Sequence, residues 1–121
     1  MKNDEQNKTV AEYFVDRLVD LQVPYVFLTP GKTMYPLLRE LEKTNICQVV
    51  AASETGNAFL ADGYARKSRS LSVCMTITNP GIAYMMPGIA SSYMDGSKML
   101  IIGGASAVSY THLTLPTSTH G

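Results

Sequence analysis

Four short apolar runs, alternating with segments of helical spacing, constrain this chain more than any other feature. They cover residues 25–28, 46–52, 71–77 and 98–103. Apolar strands alternating with helices of about ten to fifteen residues predict an α/β fold. Strands apolar throughout are those of a parallel sheet, here of about four strands, covered by helices on both faces. The helical segments carry their own signals. Thr9-Val10-Ala11-Glu12 has the capping-box form, a hydroxyl with a glutamate three residues on. Val10, Phe14, Leu18 and Leu21 then recur at helical spacing, predicting a helix over 10–21, which Pro24 stops. Thr33 is the expected cap of a second helix over 33–43, with Pro36 in its first turn and Leu37, Leu38 and Leu41 on its buried side. A third is expected over 54–67, with a small-residue face of Ala58, Ala61 and Ala65, and a fourth over 83–94.

At 121 residues the chain is one domain or a piece of one. An apolar fraction of 45% and a charged fraction of 17% are those of a globular protein with a core. Formal net charge is zero, so nothing marks nucleic acid or an acidic membrane surface as a partner. No apolar run approaches the ~20 residues of a membrane span. The first eight residues are polar and lack the apolar centre of a signal peptide, so a disordered N-terminus and a cytoplasmic location are expected. Cys47 and Cys74 lie in apolar runs, which predicts reduced, buried thiols; their spacing is not that of a metal site, and no metal ligands are assigned.

The third helix opens the stretch S-E-T-G-N-A-F-L-A-D-G-Y-A-R, from Ser53 to Arg66. Glu54 falls in its first turn, where a carboxylate complements the helix dipole if it does nothing else. Gly56 and Gly63 stand two turns apart on one face. Each costs a helix roughly 1 kcal/mol relative to alanine, so close approach to another backbone or a ligand is expected there. In open parallel sheets, ligands bind beyond the carboxyl ends of the strands. Three segments leave such ends: Thr29-Pro30-Gly31-Lys32, Ser53-Glu54 and Thr78-Asn79-Pro80-Gly81. No phosphate loop or dinucleotide fingerprint follows any strand, so the expected ligand brings a protonated nitrogen to Glu54 rather than a phosphate.

Y-V-F-L-T-P-G, S-E-T-G-N-A-F-L-A-D-G-Y-A-R, T-N-P-G and G-I-A-S-S-Y-M-D, in this order and spacing, resemble the N-terminal pyrimidine-binding domain of thiamine diphosphate enzymes. The resemblance is to the acetolactate synthase-like group, with benzoylformate and oxalyl-CoA decarboxylases as relatives, and covers residues 9–107. It implies a cofactor, thiamine diphosphate, with Glu54 as the catalytic carboxylate that activates the aminopyrimidine. Pro30 and Gly31 match the turn lining the pyrimidine and substrate side, and Pro80 and Gly81 match the end of a G-P-G loop. Gly88, Ala90, Tyr93 and Asp95 match a packing helix at a dimer interface. The implied activity is carboligation or decarboxylation of 2-oxo acids, a lyase or transferase reaction, in a homodimer or tetramer.

Ser53, Asn79, Tyr84, Lys32 and Lys98 depart from common family residues (histidine, glycine, asparagine, glycine and proline), which puts the acetolactate synthase label in doubt and leaves the substrate open. Nothing resembles the motif that holds magnesium and diphosphate in such enzymes. That Mg²⁺ site is expected in a domain absent from this chain; the resemblance further implies two more strands in the pyrimidine domain, so the sheet is expected to be incomplete and the chain an inactive fragment. The alternatives are the small subunit of a split sulfopyruvate-type decarboxylase, or a non-catalytic α/β binding module. Residues 108–121 resemble translated sequencing-adapter sequence; a non-native or disordered tail is expected, and His112 and His120 within it are assigned no chemistry.

Overall fold

The computed structural model describes residues 7–77 and 80–104. In chain order the elements are α1 (Val10–Asp20), β1 (Tyr25–Leu28), a 3-10 turn (Lys32–Met34), α2 (Tyr35–Glu42), β2 (Cys47–Val50), α3 (Glu54–Ser68), β3 (Ser72–Thr76), α4 (Gly81–Asp95) and β4 (Met99–Gly103). The capping box at the start of α1 is formed: Glu12 N–H donates to Thr9 Oγ1 (3.1 Å) and Thr9 N–H donates to Glu12 Oε1 (2.8 Å). The second helix starts later than its sequence predicts. Residues 32–34 wind as a 3-10 turn, so the cap position of α2 is Met34, and Pro36 falls in the first turn, where its missing N–H costs nothing.

All strand pairs are parallel, in the order β2-β1-β3-β4. The path turns left from β1 to β2, then right past β1 to β3 and on to β4. Right-handed crossovers therefore send α2 to one face and α3 and α4 to the other. Side chains alternate to match. Val26, Leu28, Val73 and Met75 pack with Val15, Leu18 and Leu41 of α1 and α2. Phe27 and Cys74 pack with Ala58, Ala61 and Met85 of α3 and α4. The fold is thus the covered parallel α/β sheet that the alternation predicts.

Two expectations fail for a shared reason. The strand expected over 46–52 is paired only over Cys47–Val50, and Cys47 is exposed rather than buried. β2 lies at the edge of the described sheet, next to β1 alone, so its apolar run is only partly covered. Central β3, with a neighbour on each side and helices above and below, is buried at every residue. Cys74, within it, has its thiol pushed up to about 12 by burial.

Within the chain, the close helix–helix approach is made by Gly88 and not by Gly56 or Gly63. A Cβ at Gly63 would meet nothing within 4 Å, and one at Gly56 only Ser53 Oγ at 3.2 Å. Gly88 of α4 makes the backbone contact, against Ala58 and Phe59 of α3. Arg66 locks the same pair of helices. Its Nε donates to both oxygens of buried Asp62 (3.1 Å each), its Nη1 to Asp95 (2.6 Å), and its Nη2 to the carbonyl of Ser91 (3.1 Å). These contacts hold its guanidinium pKa above the ordinary arginine value, the bond to Asp95 first and that to Asp62 second. Asp95 and Gly88 therefore serve contacts within the chain, whereas Ala90 and Tyr93 are exposed. The expectations for residues 1–6, for Thr78 and Asn79, and for the tail lie outside the described residues.

Candidate functional site

Because every pair is parallel, the segments leaving β1, β2 and β3 emerge at one edge of the sheet. β1 lies between β2 and β3, and strands stand about 4.8 Å apart, so the outer two exits are separated by roughly 10 Å. The crevice between β1 and β3 is where the chain reverses its direction across the sheet, the position at which open α/β sheets bind ligands. The Pro30-Gly31 turn borders it on one side and Pro80-Gly81 on the other, with Glu54 beyond β1.

Each segment has a local cause. Ser53, extended at φ −154°, caps α3 by accepting the N–H of Gly56 (3.0 Å), which leaves Glu54 as the first helical residue. Glu54 is half-buried, and its carboxylate has no hydrogen bond or ion pair among the described residues. Thr55 Oγ1 donates to the carbonyl of Tyr84 (2.6 Å), holding the first turns of α3 and α4 side by side. Pro80 takes the cap position of α4 without a side-chain bond. Lys32 is exposed in the 3-10 turn that follows Gly31, and exposed Lys98 precedes β4 at the opposite edge.

The end of β3 carries this arrangement, through Asn57, Met75, Thr76 and Ile77, none of which the strand-exit pattern singles out. The Met75 carbonyl accepts two bonds, from Asn57 Nδ2 of α3 (2.9 Å) and from the Thr29 N–H (3.2 Å). Thr29 and Thr76 meet hydroxyl to hydroxyl at 3.1 Å, buried. A Cβ on Gly81 would fall on Thr76 Oγ1, and one on Gly31 would fall on Ile77. Both turn glycines are therefore required by close packing, although φ at Gly31 is an ordinary extended −172°. The available signal was a polar residue on an apolar pattern: Asn57 beside Ala58 and Ala61, and a threonine at the end of each of two buried runs.

A groove of about 400 Å³ lined by Arg66, Arg69, Asp95 and Lys98 lies at the opposite, amino edge of the sheet and shares no residue with this site. Among the described residues no helix is long and apolar enough to cross a membrane.

The family model for the thiamine pyrophosphate enzyme N-terminal TPP binding domain matches residues 8–121. The protein named "Probable 2-ketoarginine decarboxylase AruI" of Pseudomonas aeruginosa is 35% identical over 98 residues, which are 81% of this chain and 18% of that protein. The "Probable acetolactate synthase large subunit" of Methanocaldococcus jannaschii is 31% identical over 94 residues, 78% of this chain and 16% of that one. The crystal structure of benzoylformate decarboxylase from Polynucleobacter necessarius superposes with a TM-score of 0.74 at 27% identity, over 80% of this chain and 18% of that chain. The chain thus spans less than a fifth of the length of these relatives. With a match that extends over nearly its whole length, the chain belongs to the thiamine pyrophosphate enzymes and carries their N-terminal TPP binding domain.

Proposed function

We propose that this domain binds the aminopyrimidine half of thiamine diphosphate in a longer enzyme acting on 2-oxo acids, an acetolactate synthase-like carboligase or decarboxylase. The observation that carries the reading is Glu54, a half-buried carboxylate without a partner among the described residues, at the same sheet edge as two Pro-Gly turns. The residues present fit that half of the cofactor. A carboxylate accepts from a protonated ring nitrogen, and turns whose glycines are packed against Thr76 and Ile77 offer backbone rather than side chains to a flat ring. When bound, thiamine diphosphate supplies a carbon nucleophile that stabilises negative charge at a former carbonyl.

The protein's own part is to hold the ring and bias its protons. Glu54 would accept a hydrogen bond from a protonated ring nitrogen and so hold that proton on the ring. Half-burial strengthens this bond by limiting competition from water. Pro30-Gly31 and Pro80-Gly81, which border the crevice, would confine the ring between them. We place the diphosphate and Mg²⁺ on another domain, and we place self-association on the outward side of α3 and α4, where Phe59, Leu60, Met86, Tyr93 and Met94 are exposed.

Glu54→Gln in the enzyme completed with a relative's remaining domains tests the assignment. The amide keeps the shape but not the charge. Exchange of the cofactor C2 proton for deuterium should slow by orders of magnitude, while stability changes by at most about 1 kcal/mol, the scale of a helix-dipole contact. Equal exchange rates at matched cofactor occupancy would sink the catalytic role. They would favour the competing reading, a binding module without chemistry.

A further inference from the structure

We infer that the buried Thr29–Thr76 hydroxyl pair is a positioning element that sets the spacing of the Pro30-Gly31 and Pro80-Gly81 turns across the β1–β3 crevice. Three consecutive residues, the last two of β3 and the one after it, each hold one segment of the edge. The Met75 carbonyl takes Asn57 Nδ2, and so fixes the first turns of the helix that begins at Glu54 (2.9 Å). Thr76 backs onto Gly81, and Ile77 backs onto Gly31. These last two contacts are van der Waals, which bound how near the turns can come but not how far they can drift. The hydroxyl pair is directional. One Oγ1 donates to the other at 3.1 Å, and the residues are 7% and 0% exposed, so no water competes for the bond. It joins the residue just before Pro30 to the last residue of β3, at the point where Gly81 packs. The Thr76 carbonyl in addition accepts the Gly104 N–H (3.1 Å), tying the segment after β4 to the same residue.

An apolar pair would fill this space. Replacing both partners of a buried bond by apolar groups of the same shape is nearly neutral for stability. The hydroxyls are therefore needed for direction rather than for filling. What the turns hold rests on the function proposed above; the spacing itself does not.

The test is amide hydrogen exchange by NMR on this chain, with no cofactor present, so its outcome is independent of the Glu54 experiment. Reporter amides are Met34, bonded to the Gly31 carbonyl (3.0 Å), and Tyr84, bonded to the Pro80 carbonyl (3.1 Å). Reference amides at the opposite edge are Cys47 on Pro24 and Ser72 on Lys98 (2.9 Å each). In T29V/T76V, exchange at Met34 and Tyr84 should rise about fivefold to tenfold, the equivalent of one net hydrogen bond, with Cys47 and Ser72 unchanged. Thr76→Ser, which keeps the hydroxyl, should leave all four at wild-type rates. If the double variant does not fold, Thr29→Val against Thr29→Ser replaces it, with one hydroxyl left unpaired and the rise at Met34 and Tyr84 over Cys47 and Ser72 as the readout. A parallel rise at both edges would reduce the pair to a general contributor to stability, and no rise at either would remove it altogether; each result overturns the inference.

Discussion

Two helical glycines, Gly63 and Gly88, are expected to respond to the same substitution with opposite signs. A Cβ at Gly88 would stand 2.5 Å from Ala58 Cβ, 2.9 Å from the Ala58 carbonyl carbon and 3.0 Å from the Phe59 nitrogen. Carbon atoms rest about 3.5–4.0 Å apart, so Gly88→Ala must open the α3–α4 contact by roughly 1 Å. The obstacles are an alanine Cβ and backbone, neither of which has a rotamer to escape to. The bonds from Thr55 to Tyr84 and from Arg66 to Ser91 oppose the opening along its length. Overpacking of this kind costs about 1–3 kcal/mol, and the better helix propensity of alanine returns at most ~1 kcal/mol. A net loss of roughly 0–2 kcal/mol remains, or a fall in Tm of up to roughly 15 °C for a domain near 100 residues. At Gly63 nothing stands within 4 Å, so Gly63→Ala should gain about 0.4–1 kcal/mol by restricting the unfolded chain. Urea and thermal unfolding of both variants, followed by circular dichroism, would give the two signs directly. A gain in stability in Gly88→Ala would refute the close-contact argument, and a loss at Gly63→Ala would refute its open surroundings.

Other outcomes follow from the cysteines, the first helix and the α3–α4 lock. A thiol reagent at neutral pH should modify exposed Cys47 rapidly and Cys74 only on unfolding, read as one fast and one slow equivalent. The Cys74 pKa is raised in the folded state, so its contribution to stability is complete below the ordinary value of 9.0 and lost as pH rises toward about 12; Cys74→Ala should flatten that part of the profile. Thr9→Ala should cost about 0.5–2 kcal/mol, measured by urea unfolding. Glu12 is held below the ordinary glutamate value by its bonds to the Thr9 backbone and then the Thr9 hydroxyl. Its contribution is therefore complete above 4.5 and lost as pH falls below it, so wild type and Glu12→Gln should converge in acid. Asp62 is 4% exposed and accepts from both Arg66 and Ser91, so Asp62→Asn should cost about 1.5–3 kcal/mol, read from the same unfolding curves.

The local elements were legible in the amino-acid order because their causes are local. A capping threonine with its glutamate, a proline after α1 and four apolar runs act within a few residues, and they led to the right elements with boundaries a residue or two adrift. Glu54, Pro30 and Pro80 were likewise readable as strand-exit residues, since an all-parallel sheet puts every such exit at one edge. Strand order is different, because it depends on which crossovers pack, and neither β1's place between β2 and β3 nor the exposure of Cys47 is written near either residue. The same holds for the glycines. Spacing along one helix pointed to Gly56 and Gly63, but close approach is a property of two helices, and the contact formed at Gly88, thirty residues from Ala58. The Thr29–Thr76 pair spans 47 residues of sequence and exists only because β1 and β3 became neighbours. A hydroxyl has no periodicity to betray its partner, so tertiary packing alone decided which threonines would meet at the crevice.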